Sequence, residues 1–110
     1  MANYILLITL SENGKKDLLD DPNAVVTAHA EMDAAEVTGL GMYAVLGQYD
    51  VVGIIEAPDN EAAARYSLQL GVRIGAHIET MPAIPLAMLE ERPDDVLDRL
   101  ERSMEVTPEV

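Results

Sequence analysis

His77 and Glu79 are two residues apart in the segment 75–81, which has the length and composition of a β-strand. Alternate residues of a strand point to the same side of a sheet, so this spacing predicts that both side chains share one face. An imidazole beside a carboxylate in a space of low dielectric can take a proton from a substrate. The pair therefore indicates a general base, and the alternatives are a structural ion pair or charges that protect an edge strand from aggregation.

Five further side chains are candidates for holding a small organic ligand, and each has a structural alternative. Tyr43 would form a pocket wall. Tyr49 and Asp50 would close the mouth of a pocket, or would set the register of a hairpin, with Asp50 accepting hydrogen bonds from turn amides. Arg65 and Arg73 would anchor a carboxylate ligand, or would pair with carboxylates on the protein surface.

The sequence has no motif for a metal or for a nucleotide cofactor. His29 and His77 are the only histidines, and neither lies in a metal-spaced motif, although together with Glu79 they would make up a two-histidine, one-carboxylate set. The glycine pair at 39–41 precedes a predicted strand rather than a helix, which is the reverse of the dinucleotide-binding context. We therefore predict no metal site and no bound cofactor.

Composition narrows the classes of partner. The 110 residues include no Cys, which excludes disulfides and thiolate chemistry within this sequence. The 20 acidic and 7 basic residues give a net charge of −13, which would repel a phosphate backbone. The first apolar run stops at Leu10, follows no cationic segment and is shorter than the roughly 20 residues that span a bilayer. We expect a soluble, cytoplasmic protein that binds neither nucleic acid nor membranes.

The apolar pattern predicts four strands and two helices in the order β-α-β-β-α-β. The strands are expected at 4–10, 42–46, 50–56 and 75–81. One helix is expected from Asp21 and Pro22 to before Gly39, and another from 58–60 to Gly71; residues 15–19 would hold at most a short helical turn. This order is that of an α+β, ferredoxin-like sandwich with a four-stranded antiparallel sheet.

The first and third strands are apolar on both faces, whereas two helices can cover only one face of the sheet. The other face therefore needs a cover, and a second copy of the same chain would supply it. We expect a homodimer through the sheet faces, of the dimeric α-β barrel type, and leave open whether it assembles further.

The composition changes near residue 89. Residues 90–110 contain eight acidic residues and three arginines, a net charge of −5. Val96, Leu97, Leu100 and Met104 nevertheless recur at helical spacing after Pro93. We therefore predict one domain over 1–89 and an acidic extension over 90–110 with a short C-terminal helix that frays at its end.

The stretch 43–64 resembles the GYD-domain family, whose naming motif is a Gly-x-Tyr-Asp turn between two central strands. The motif is matched here by Gly47-Gln48-Tyr49-Asp50, and the likeness covers residues 4–84. Family members usually carry a Gly-Gly-Lys-type turn before the second strand, where this chain has residues 37–41 without a basic group. The resemblance implies a ferredoxin-like, dimeric α-β barrel fold and an undefined activity, with no catalytic residues to carry over.

Two main classes of function follow from these observations, and a metal-binding protein is a third alternative. The first is a homo-oligomeric small-molecule-binding or interaction module without a cofactor. The second is a cofactor-independent enzyme, because proteins similar in fold include small monooxygenases and lactone isomerases; it would use His77 as base and Tyr43 or Arg65 to place the substrate. A polar cavity that contains His77 would favour the enzyme, and apolar packing in that space would favour the module.

Overall fold

The computed structural model describes residues 1–32 and 34–90. Its elements, in chain order, are β1 (Ala2–Leu10), α1 (Glu12–Asp20), α2 (Ala24–Glu31), β2 (Thr38–Ala44), β3 (Val51–Ala57), α3 (Asn60–Ile74), β4 (Ala76–Ala83) and a final 3-10 turn (Leu86–Glu90). The predicted C-terminal helix lies outside the described residues, and the boundary at residue 89 stays a prediction.

The four strands form one sheet in the order β2-β3-β1-β4, and every pair of neighbours is antiparallel. Two β-α-β units with β1 and β3 side by side in the centre produce this order. The predicted α+β, ferredoxin-like fold is therefore confirmed, and so is the hairpin formed by β2 and β3.

The helices cover one face of this sheet. Alternate residues of β1 point to them, and Leu6 and Ile8 are fully buried there together with Ile55 of β3. Tyr66 and Leu70 of α3 complete the same aliphatic core. Burying a side chain such as Leu contributes about 1.5–3 kcal/mol, so each member of this layer stabilises the fold.

Helix α3 begins as predicted and ends later than predicted. The Asp59 carboxylate accepts a hydrogen bond from the Ala62 amide at 2.8 Å, which caps the first turn. Gly71 does not stop the helix; it is buried, and a Cβ there would lie 2.8 Å from the Ala76 carbonyl oxygen. The helix ends instead at Gly75, whose φ of 68° is the left-handed conformation that glycine adopts without strain. Gly71 therefore serves the close packing of α3 against β4.

The region between β1 and β2 differs most from the prediction. Residues 12–20 form a nine-residue helix rather than a short turn, and the Ser11 hydroxyl caps it by accepting from the Gly14 amide at 3.0 Å. Helix α2 begins at Ala24, because the Asp21 carboxylate accepts from the Asn23 amide and forms a turn ahead of the helix. It also ends at Glu31, several residues before the predicted end.

Two strand boundaries also move. β2 starts at Thr38 and ends at Ala44, four residues earlier than predicted at its start, and it contains an irregularity between Gly39 and Gly41. β4 continues through Pro82 to Ala83. Proline is tolerated there because β4 is an edge strand, which pairs only with β1 among the described residues.

Candidate binding face

The side of the sheet opposite the helices carries a strip of apolar side chains, which we call the open face. Leu7 of β1 pairs with Val52 of β3 and with Glu79 of β4. Ile5 pairs with Ile54 and Met81 in the next row. The open face is made of Ile5, Leu7, Thr9, Tyr43, Val52, Ile54, Glu56, His77, Glu79 and Met81.

The centre of the open face is apolar, uncharged and partly exposed. Ile5, Leu7, Val52 and Ile54 are half-buried by their neighbours in the sheet, whereas Met81 is 43% exposed at the edge. Helices α2 and α3 contribute their buried apolar residues to the core on the opposite side, and α1 packs against that core through Leu18. Within residues 1–32 and 34–90, no helix therefore covers this strip, which is the arrangement expected of a binding surface.

The Gly-x-Tyr-Asp segment fastens the β2–β3 loop to β1. Gly47 has a φ of 125°, a conformation that side chains rarely allow. The Asp50 amide donates to the Ile8 carbonyl at 2.9 Å, and the Asp50 carboxylate accepts from the Leu10 amide at 2.9 Å. The backbone groups of residues 8 and 10 of β1 point toward the same neighbouring strand, β3. The Asp50 carboxylate therefore takes the place of the backbone carbonyl that β3 would have offered to the Leu10 amide. The amide that Asp50 binds is thus in β1 rather than in the turn.

Tyr49 and Glu79 come together although they belong to a loop and to the far edge strand. The pKa of Tyr49 is raised above its usual 10.0, first because its neutral hydroxyl hydrogen-bonds the Glu79 carboxylate, then through desolvation, and then through the negative charge of Glu79. Since β1 lies between β3 and β4, the Tyr49 side chain reaches toward Glu79 across β1. This contact forms a polar corner on the open face.

His77 lies on the open face two residues from Glu79, as the alternation predicted, and its side chain is exposed. It also reaches the rim of a cavity of about 260 Å³ between α3 and β4, whose other lining includes Leu68, Val72 and Ile78. That lining is mainly apolar. The role of His77 as a base stays a prediction.

The remaining predicted ligand residues are not gathered at one point. Tyr43 is 56% exposed and lies beside Val52 on the open face. Arg65 and Arg73 are on α3, behind the sheet, where each is close to a carboxylate: Arg65 lies 2.9 Å from Glu61, and Arg73 lies 3.6 Å from Glu31. Both pairs are exposed to solvent. The structure therefore does not bring the two arginines to Tyr43, and surface pairing accounts for their positions.

One contact that the sequence did not indicate joins α2 to α3. The Tyr66 hydroxyl lies 2.7 Å from Nδ1 of His29, and the two rings meet edge to face with centroids 5.3 Å apart. Tyr66 belongs to the predicted apolar stripe of α3, but the two partners are 37 positions apart in the sequence, so no local pattern indicates the pair.

Two structural tests concern metals and membranes. Among the described residues, no group of three or more His, Asp or Glu side chains is placed to hold a metal ion. No helix in that part of the chain is long and apolar enough to cross a membrane.

Comparison with known families identifies the class of protein. A family model described as the GYD domain matches residues 4–92. A relative from Thermus thermophilus is 36% identical over 93 residues, which are 84% of this chain and 98% of that protein. Its name is glutamine synthetase and cystathionine beta-lyase binding protein. The chain belongs to the GYD-domain family.

Solved structures with the same fold are more distant in sequence. The leucine response regulatory protein LrpA of Mycobacterium tuberculosis superposes with a TM-score of 0.55 at 12% identity, over 76% of this chain and 51% of that one. The protein FFRP-DM1 gives a TM-score of 0.53 at 16% identity, over 76% of this chain and 100% of that one. The chain spans about half the length of LrpA. These likenesses concern the fold alone, whereas the family and the named relative fit a binding or interaction module.

Proposed function

We propose that this protein is a protein-binding module whose partner is a metabolic enzyme, of the kind named for its relative. The observation that carries this proposal is that the chain aligns with 98% of a protein named for binding glutamine synthetase and cystathionine β-lyase, at 36% identity. Such an alignment covers most of this chain and nearly all of the relative, rather than a short shared motif.

The chemistry of the described residues is consistent with binding rather than with a reaction. The predicted base and the predicted arginine anchors lie on different sides of the sheet. The apolar strip of the open face suits contact with another protein surface rather than a reaction. A second copy of the chain is the occupant that we propose for this strip, which leaves the other surfaces of the dimer for the enzyme.

The experiment is a titration of this protein against purified glutamine synthetase and cystathionine β-lyase from the organism that encodes it. Binding is measured by biolayer interferometry. We expect saturable binding to at least one enzyme. An unrelated protein of similar size and net charge serves as control, because a chain of net charge −13 adsorbs to basic surfaces. Binding to neither enzyme, or equal binding of the control protein, would contradict the proposal.

We further infer that a second copy of the chain covers the open face. Two bodies of net charge −13 repel each other, and this repulsion is weakest where they meet through a surface without charges. The centre of the open face has that property, since Ile5, Leu7, Val52 and Ile54 carry no charge. Glu56 lies at the end of β3, and Glu79 lies beside Leu7 on the edge strand β4. Apolar area buried between the two sheets would contribute roughly 25 cal/mol per Å².

Light scattering on the variant Leu7→Glu tests this dimer. The wild-type protein should have twice the chain mass of 11.9 kDa, and the variant should have the monomer mass with an unchanged circular dichroism spectrum. Leu19→Glu is the matched control, because Leu19 is 84% exposed on α1 and lies outside the open face. A monomeric wild type, or a Leu7→Glu variant that stays dimeric, would contradict the inference.

A further inference from the structure

A cavity of about 330 Å³ lies on the helix side of the sheet, between α2, α3 and β2. We call it the His29–Tyr66 pocket. Its apolar lining comes mainly from Val25, Val26, Leu40 and Met42, and its polar side chains are those of His29 and Tyr66. Its volume falls within the range of about 300–1,000 Å³ that small-molecule sites occupy. The pocket is on the opposite side of the sheet from the open face.

The hydrogen bond between His29 and Tyr66 defines which ring nitrogen carries the proton. Tyr66 is 1% exposed, and burial raises its pKa to about 12, so its hydroxyl stays protonated at neutral pH. Nδ1 of His29 is the partner that the described residues offer to this hydroxyl, at 2.7 Å. If Nδ1 were the donor, the Tyr66 proton would have no acceptor among the described residues. Tyr66 therefore donates to Nδ1, and the neutral ring carries its own proton on Nε2.

Glycines in β2 leave the imidazole open to the pocket. The pairing of β2 with β3 passes from Gly39 opposite Ile55 to Gly41 opposite Ile54, so Leu40 is an extra residue in the strand. A Cβ on Gly39 would lie 4.0 Å from Cε1 of His29, which is an ordinary van der Waals distance. A side chain at 39 would thus cover the edge of the ring without forcing the backbone to move.

We propose that the His29–Tyr66 pocket binds a small, uncharged organic molecule with an apolar body and a carbonyl oxygen, which accepts a hydrogen bond from Nε2 of His29. Among the described residues, the lining includes no Lys or Arg that would neutralise a bound carboxylate, and the net charge of −13 disfavours anions further. This proposal does not depend on the enzyme-binding proposal, since it concerns a separate cavity.

The test is a titration of isotope-labelled protein with three probes built on a six-membered ring. The chemical shifts of His29, Tyr66 and Leu40 are monitored by NMR. Cyclohexanone supplies the carbonyl, cyclohexene lacks an acceptor, and cyclohexanecarboxylate carries a charge. We expect saturable shifts with cyclohexanone and dissociation constants at least fivefold higher for the other two probes. Absence of saturable shifts with cyclohexanone, or equal affinity for cyclohexene, would overturn the proposal.

Two variants locate the binding. Gly39→Ala should weaken cyclohexanone binding at least fivefold, because the added methyl group occupies the space beside Cε1 of His29. Ala44→Val is its control, because it also enlarges a side chain of β2 but lies outside the pocket lining. Wild-type affinity in Gly39→Ala would place the probe elsewhere and overturn the proposal.

The variant His29→Asn distinguishes the contribution of the Nε2 hydrogen-bond donor from that of the apolar lining of the pocket. An asparagine oxygen near the position of Nδ1 can still accept from Tyr66, whereas no donor remains at the position of Nε2. Cyclohexanone should then lose its advantage over cyclohexene while both still shift the signal of Leu40. An unchanged preference for cyclohexanone in a folded His29→Asn variant would overturn the proposed hydrogen bond.

Discussion

The two faces of the sheet are built from adjacent residues of the same strands, yet they meet different surroundings. Leu6 and Ile8 of β1 are fully buried beneath the helices, whereas Ile5 and Leu7, which alternate with them, are only half-buried on the open face. β3 repeats this contrast with Ile55 on one side and Ile54 on the other. The strands are thus similarly apolar on both faces of the sheet. The face beneath the helices is nevertheless an internal core, whereas the open face is not covered by a helix of the described residues.

The difference shows what an apolar strand pattern does and does not specify. The pattern favours burial of both faces, because burying each aliphatic side chain contributes about 1.5–3 kcal/mol of stabilising free energy. The apolar pattern does not determine which helix, or which second molecule, covers each face. Helix α3 covers one face because the chain returns over it between β3 and β4. The following predictions test whether the faces differ in this way, from the largest expected effect to the smallest.

Alanine at Leu6 and at Leu7 should separate the faces most strongly. Leu6→Ala should lower the free energy of unfolding by about 3 kcal/mol, within the 2–5 kcal/mol typical of buried leucines, and independently of protein concentration. Leu7→Ala should lower it less at low protein concentration and more at high concentration, where the second copy covers Leu7. Urea unfolding at 2 and 200 μM would measure both; equal, concentration-independent losses would contradict the contrast between the faces.

Alkaline titration should distinguish a tyrosine on the covered side from one on the open side. The folded-state pKa of Tyr66 is raised to about 12 by burial, so the stability linked to its protonated form is present below pH 10 and is lost as the pH rises toward 12. Urea midpoints measured from pH 9 to 11.5 should fall over this range. Tyr66→Phe should flatten the decline, and a decline of the same size in that variant would exclude Tyr66 as its source.

The pKa of Tyr49, on the open side, depends chiefly on Glu79 rather than on burial. Glu79→Gln should therefore lower the pKa of Tyr49 toward 10, because the charge is removed and the hydrogen bond to it is weakened, and should leave Tyr66 unchanged. Site-resolved NMR titration of the tyrosine rings measures both groups. A pKa of Tyr49 that does not respond to Glu79→Gln would contradict the contact across β1.

Asp50 lies where the two faces meet at the end of β1. Asp50→Ala should lower the free energy of unfolding by about 1–3 kcal/mol, because it leaves the Leu10 amide without the carboxylate that accepts from it. Asp20→Ala is the control, since Asp20 is exposed at the end of α1 and surface changes of this kind cost less than about 0.5 kcal/mol. Equal effects of the two changes in thermal unfolding would exclude a special role for Asp50.

The smallest expected effect concerns the N-terminal cap of α3, the helix that packs on the side of the sheet opposite the open face. Asp59→Ala should lower the free energy of unfolding by about 1 kcal/mol, since the Ala62 amide loses its acceptor. Asp59→Ser should restore most of this loss, because a serine hydroxyl caps the same amide. A serine variant as unstable as the alanine variant in urea unfolding would indicate that the cap is not the cause.

The sequence by itself determined the elements whose signal is periodic. The continuous apolar runs indicated β1 and β3, the spacing of Ala62, Tyr66 and Leu70 indicated the buried side of α3, and alternation placed His77 and Glu79 on one face of β4. These signals suffice because the periods of the helix and the strand are properties of the local backbone. The Gly-x-Tyr-Asp turn then connected this order of elements to the GYD family.

The tertiary structure decided the contacts that join distant parts of the chain. Helix α1 was missed because it is short and polar, and its Gly14 is buried against the end of α3, where a Cβ would lie 2.5 Å from the Gly75 carbonyl oxygen. Asp50 binds an amide 40 residues away, and His29 binds a hydroxyl 37 residues away. Such partners depend on strand register and on helix placement, which follow from packing the whole core. No local period carries that information, so a candidate face was predictable from the sequence, whereas the polar corner and the His29–Tyr66 pocket were not.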